Sequence, residues 1–121
     1  MARYINLFHA SNSVLTLRQT ISKVLESCDL DLVYETPDYL IAQEKPGQVS
    51  HSRLTKVEFL ISPPATEQAR TRIDLVVKNE ELPLKVNNHC QQIFELVNRA
   101  IAETDTWEAS VRYQLSGARD K

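Results

Sequence analysis

The sequence predicts an α+β domain: a single antiparallel β-sheet with two helices packed on one face. Three observations predict it. Five segments alternate apolar and polar residues at the period of two that a half-buried strand needs. Two others repeat their apolar residues at about 3.6, the period of an amphipathic helix. Four of the five strand segments follow one another without an intervening helix, which argues for antiparallel pairing and for a sheet covered from one side.

Taken in order, residues 2–9 form a first strand, with Tyr4, Asn6 and Phe8 on one face and Ile5 and Leu7 on the other. A strand apolar on both faces belongs inside its sheet, or under cover on both sides. Ser11-Asn12-Ser13 breaks the pattern, and apolar residues at 17, 21, 24, 25 and 28 mark a first helix over 14–28. Thr16 with Gln19 fits a capping box, and Ser13 is the alternative N-cap. Residues 30–36 alternate as a strand, Pro37-Asp38 turns the chain, and Tyr39, Ile41 and Gln43 alternate in the next. Lys45-Pro46-Gly47-Gln48 is a turn. A longer strand over 53–62 puts Thr55, Val57, Phe59 and Ile61 on one face, and Pro63-Pro64 ends it. Residues 69–78 alternate most regularly, with Thr71, Ile73, Leu75 and Val77 pointing one way and Arg70, Arg72, Asp74, Val76 and Lys78 the other. Leu82, Leu84 and Val86 suit a short edge strand or a cap on the core. Asn87 or Asn88 then caps a second helix over 88–104, with Ile93, Phe94, Val97, Ala100 and Ile101 on its apolar face.

The order is β-α-β-β-β-β-α plus a tail element. Over residues 2–104 this order is similar to the TBP-like and helix-grip folds, in which a curved antiparallel sheet grips helices on one face. That resemblance implies an architecture; it carries no activity, because unrelated functions share the topology. Residues 1–104 read as one domain and 105–121 as a C-terminal appendage, partly helical or disordered at its end. Trp107, Val111 and Leu115 share a helix face at spacings of four, whereas Val111, Tyr113 and Leu115 also alternate as a strand.

Composition narrows the function. The chain has 121 residues, 42% apolar and 25% charged, with only two glycines, Gly47 and Gly117. Isolated glycines cannot build a P-loop, a dinucleotide fingerprint or a nucleophile elbow. The formal charge is −2, with six basic and seven acidic residues in 1–60 and eight and nine in 61–121. No basic block holds a nucleic-acid backbone, so nucleic acid is not the expected partner. No apolar run of about 18 residues spans a membrane, and the N-terminus lacks the pattern of a signal peptide. Cys28 and Cys90 form no disulfide framework, and a cytoplasmic, reduced protein is the consistent reading.

Candidate chemistry is sparse. His9, His51 and His89 do not combine with the cysteines into a metal site of three or four ligands, so no metal and no cofactor is expected. Cys90 sits in the first turn of the second helix beside His89, where a thiolate is favoured. It also lies on the apolar stripe, and no base or oxyanion site accompanies it. The acidic pairs Asp29/Asp31 and Glu80/Glu81 belong to turns. On the strand over 53–62, Lys56 and Glu58 are expected near Arg70, Arg72 and Asp74, as cross-strand ion pairs on a solvated sheet face. In the tail, Trp107, Val111, Tyr113 and Leu115 lie beyond the last core helix and are candidate interface anchors; the alternative for Trp107 is that it folds back over the end of the second helix.

The expectation is a small non-enzymatic interaction module that binds a protein partner, its own copy first, through the sheet face or the tail. Lys56, Arg70, Arg72, Trp107, Val111, Tyr113 and Leu115 are its candidate contacts. The alternative is a binding protein for an apolar small molecule held between sheet and second helix. Enzymatic activity and nucleic-acid binding rank below both.

Overall fold

The computed structural model describes residues 1–11, 13–45, 47, 49–64, 66, 69–82 and 88–104, Trp107, and the backbone of 108–114. Six strands and two helices appear: β1 (Ala2–Ala10), α1 (Val14–Ser27), β2 (Leu30–Thr36), β3 (Tyr39–Glu44), β4 (Lys56–Ser62), β5 (Thr71–Asn79), α2 (His89–Thr104) and β6 (Glu108–Gln114). The strands make one antiparallel sheet in the order β2-β3-β4-β5-β1-β6. The expected α+β fold, with β-α-β-β-β-β-α order, is what forms.

The helices are crossovers. With every neighbouring pair antiparallel, β1 and β2 run in the same direction at distant places in the sheet, and so do β5 and β6. Each such pair needs a connection across a face, and α1 and α2 provide them. From α1, Leu17, Ile21, Val24 and Leu25 are buried; from α2, Cys90, Ile93, Phe94, Val97 and Ile101. They pack on Tyr4, Phe8, Leu40, Ala42, Val57, Phe59, Ile61, Ile73, Leu75 and Val77, which make up the covered face of the sheet. Tyr4 and Phe94 stack with ring centroids 5.5 Å apart. One polar pair lies in this core: Asn6 Nδ2 donates to Asn98 Oδ1, and Asn98 Nδ2 donates to the Phe94 carbonyl at 2.7 Å.

Local signals placed most boundaries. Ser13, not Thr16, caps α1, its Oγ accepting from Thr16 N at 3.2 Å. The helix stops where Asp29 enters the left-handed region at φ 61°, which Asp tolerates better than most residues. Asn88 caps α2, its Oδ1 accepting from Gln91 N at 2.8 Å. Gly47, at φ 91°, makes the turn after β3 with a backbone that side chains disfavour.

Three expectations change. The strand expected over 53–62 begins only at Lys56, because His51–Arg53 form a 3₁₀ turn. Strand β2 does not alternate throughout: its register with β3 slips between Leu32 and Tyr34, so Val33 bulges and Tyr34 comes opposite Ile41. A bulge of this kind moves the following side chains to the other face. Of the two forms open to the tail, the strand forms over Glu108–Gln114, alongside β1. Leu84, Val86, Leu115 and Gly117 lie outside the described residues.

Candidate functional site

Nothing among the described residues covers the second face of the sheet. The register lays its side chains in rows across the strands. One row runs Thr36, Tyr39, Leu60, Asp74, Leu7; the next runs Tyr34, Ile41, Glu58, Val76, Ile5. In the backbone of β6, Val111 is the register partner of Leu7 and Tyr113 that of Ile5. These two central rows are mainly apolar or aromatic. Leu60 is 42% exposed and Tyr34 54%, while Ile5, Leu7, Ile41 and Val76 are half-buried.

The charges within these rows are neutralised by near neighbours. Glu58 accepts from the Tyr39 hydroxyl at 2.9 Å and pairs with Lys78 at 2.8 Å. Asp74 holds Arg72 through two hydrogen bonds of 2.8 and 3.2 Å. Each carboxylate therefore has its cation on the same face. The Tyr39 hydroxyl has a raised pKa, from burial first and then from its bond to Glu58.

Against this geometry the expected contacts divide. Lys56 does not lie near Arg70 and Arg72: it sits directly opposite Lys78, and Arg72 is opposite Ser62. The antiparallel register separates Lys56 from Arg72 by the length of β4, about 20 Å. Arg70 reaches the His9 carbonyl at 3.4 Å at the same end as Arg72. The basic residues thus mark opposite ends of the face and make no continuous track for a phosphate backbone. Trp107 turns to the helix-covered side, where its ring lies 5.6 Å from that of Phe8 and 6.3 Å from that of Phe59. Its Nε1 is buried with no partner among the described residues.

Cys90 is fully buried, its Sγ 3.4 Å from the Val77 carbonyl and 3.7 Å from that of Ala2. Burial, reinforced by Glu81, pushes the thiol up to about 12, so it stays protonated at neutral pH. The helix-terminus effect expected to favour a thiolate is outweighed by desolvation.

A second polar cluster, invisible in the sequence, anchors the start of α2. Glu81 Oε1 accepts from Asn79 Nδ2 at 2.7 Å and from Cys90 N at 2.9 Å, while its Oε2 accepts from His89 N at 3.3 Å. The carboxylate thus fills two of the unpaired N–H groups of the first turn. Desolvation pushes the Glu81 pKa up, but these donors outweigh it and hold the carboxyl below its ordinary value. Beside it, His89 Nε2 lies 2.9 and 2.8 Å from the two Glu44 oxygens, and Glu44 Oε1 also accepts from Thr55 N at 3.0 Å. Glu44 and His89 lie 45 residues apart, so no local pattern foretells their contact. Both carboxylates are spent on backbone, amide and ring donors, and the neighbouring thiol faces carbonyls. The arrangement is one that pins a helix to a sheet.

The space between sheet and α2 is filled by Tyr4, Leu75, Val77, Phe94 and Val97, all at most 2% exposed. Clefts of about 280 and 190 Å³ lie elsewhere, at the start of β4 and between the end of α1 and the outer side of α2. No described helix is long and apolar enough to cross a membrane. Among known proteins, no family model matches the chain and no curated protein matches it in sequence.

Proposed function

We propose that the protein is a non-enzymatic interaction module whose uncovered sheet face packs against the same face of a second copy. The observation that carries this reading is the pair of apolar rows through Ile5, Leu7, Leu60 and Val76, which the described residues of one copy leave without a second layer. Extended apolar patches of this kind mark interaction sites on soluble proteins.

A second copy suits the face for two reasons. Glu58 and Asp74 are already paired within it, so an identical face brings no unpaired carboxylate into the centre of the contact. The area is also adequate. Six strands about 4.8 Å apart and about 25 Å long make a face of roughly 700 Å². A standard interface buries about 800 Å² per partner. Aligned packing of two such faces about 10 Å apart would interdigitate the central rows and leave Lys56 and Arg72 at the rim.

Sedimentation equilibrium over micromolar to submillimolar concentrations tests the reading. The wild type should be dimeric, and Leu60→Arg, at an exposed position in the middle of the face, should be monomeric with an unchanged far-UV circular dichroism spectrum. A wild-type protein that stays monomeric throughout, or a Leu60→Arg protein that dimerises as well as the wild type, overturns it.

A further inference from the structure

We propose a separate binding site at the end of the sheet where β4 begins: a cleft that takes a small ligand with an apolar body and one anionic head, a phosphate monoester or a carboxylate. The cleft, of about 280 Å³, is lined by Met1, His51, Leu54, Lys56, Lys78 and Glu80 among others. Its volume lies just below the range of roughly 300–1,000 Å³ usual for small-molecule pockets, which suits one ring and a head group.

The charge arrangement points to an anion. Lys56, Lys78 and Arg3 stand directly opposite one another on β4, β5 and β1. Like charges in directly opposed positions repel across a sheet. Lys78 has Glu58 as a counter-charge at 2.8 Å, but Lys56, Arg3 and His51 have no ion-pair partner among the described residues. Arg72, toward the other end of β5, has Asp74. An anion over Lys56 and Lys78 would relieve the repulsion that the sheet register imposes. Glu80 on the rim disfavours a second anionic group, and exposed Met1 with Leu54 supplies an apolar wall.

The walls are held in place before any ligand arrives. Glu80 N donates to the Ser52 carbonyl at 3.1 Å, and Asn79 Nδ2 donates to the Arg53 carbonyl at 3.3 Å. These bonds fix the 3₁₀ turn carrying His51 against the end of β5, so little order has to be gained on binding.

Titration of the ¹⁵N-labelled protein with phenyl phosphate, phenylacetate and benzyl alcohol, followed by amide NMR, tests the site. At least one of the two anions should give saturable shifts centred on His51, Leu54 and Lys78, and the tighter of the two identifies the head group. Benzyl alcohol should give none. Lys56→Gln should weaken binding about tenfold, while Lys23→Gln, on the exposed side of α1, should leave it unchanged. Lys56 is exposed, so the variant should keep the wild-type spectrum elsewhere. Absence of saturable shifts with both anions at about 10 mM, equal shifts with benzyl alcohol, or wild-type affinity in Lys56→Gln overturns the proposal.

Discussion

On one face of the sheet, Tyr4, Phe8, Ile73, Leu75 and Val77 are shut beneath two helices; one residue along the same strands, Ile5, Leu7 and Val76 meet no second layer among the described residues. The strands supply apolar side chains to both sides, but the crossovers can cover only one. The centre of the covered face is buried within a single chain, and the polar pair at its middle, Asn6 and Asn98, is hydrogen-bonded. On the open face the apolar rows are incomplete, and its carboxylates are paired laterally. Substitutions on the first face should therefore register as stability, and those on the second as association.

The largest effect belongs to Leu75→Ala. Leu75 is 0% exposed in the middle of the covered face. Removing its branched end leaves a cavity that close-packed neighbours cannot fill, at a cost of about 2–5 kcal/mol. A urea titration should show a lowered midpoint with an unchanged slope. A loss below about 1 kcal/mol would mean that the two faces are not as different as their burial indicates.

Asn98→Ala should come next, at about 1–3 kcal/mol, because it strands the Asn6 amide in the core. The double variant Asn6→Leu with Asn98→Leu sharpens the comparison. With both polar groups gone, much of that loss should return, a non-additivity visible in a double-mutant cycle.

Glu81→Gln should cost about 1–2 kcal/mol at neutral pH, by weakening charge-assisted bonds to the His89 and Cys90 amides. Its pH dependence has a definite sign. Glu81 is held below its ordinary value in the folded protein, so its contribution is complete above the unfolded-state value. It is lost as pH falls through the lower folded-state value. Urea midpoints should therefore separate wild type from Glu81→Gln at pH 7 and converge under acid conditions. A gap that stays constant through the acid range would place the carboxylate's role elsewhere.

Much of this division is legible in the sequence, and the exceptions have physical causes. Strand and helix periods are local, so β1, α1, β5, α2 and β4 from Lys56 onward follow from spacing alone, and Ile5 with Leu7 already signals a second apolar face. Register is not local. With Pro63-Pro64 and a long connection between β4 and β5, nothing in the chain foretells that Lys56 faces Lys78 and not Arg70 or Arg72. The Val33 bulge arises from pairing with β3, which turns Tyr34 to the open face. Residues 107–115 fit a helix or a strand; the free edge of β1 decides, by pairing with β6. Glu81 reads as a turn acid and Glu44 carries no local signal, until the fold brings the start of α2 and His89 to them.

The smallest stability effect should come from Leu60→Ser, on the open face. Leu60 is 42% exposed and touches no helix, so its loss should change monomer stability by no more than about 0.5 kcal/mol. Its effect should instead be on concentration dependence. If two copies bury this face, association stabilises the fold by mass action, and the wild-type urea midpoint rises with protein concentration. In Leu60→Ser that rise should shrink or vanish, while the midpoint at the lowest concentration stays near that of the wild type. Equal concentration dependence in both proteins would separate Leu60 from association and leave the apolar rows as a property of the monomer. A large loss at every concentration would show instead that Leu60 is needed within one chain, and the contrast between the two faces would fail at its most exposed residue.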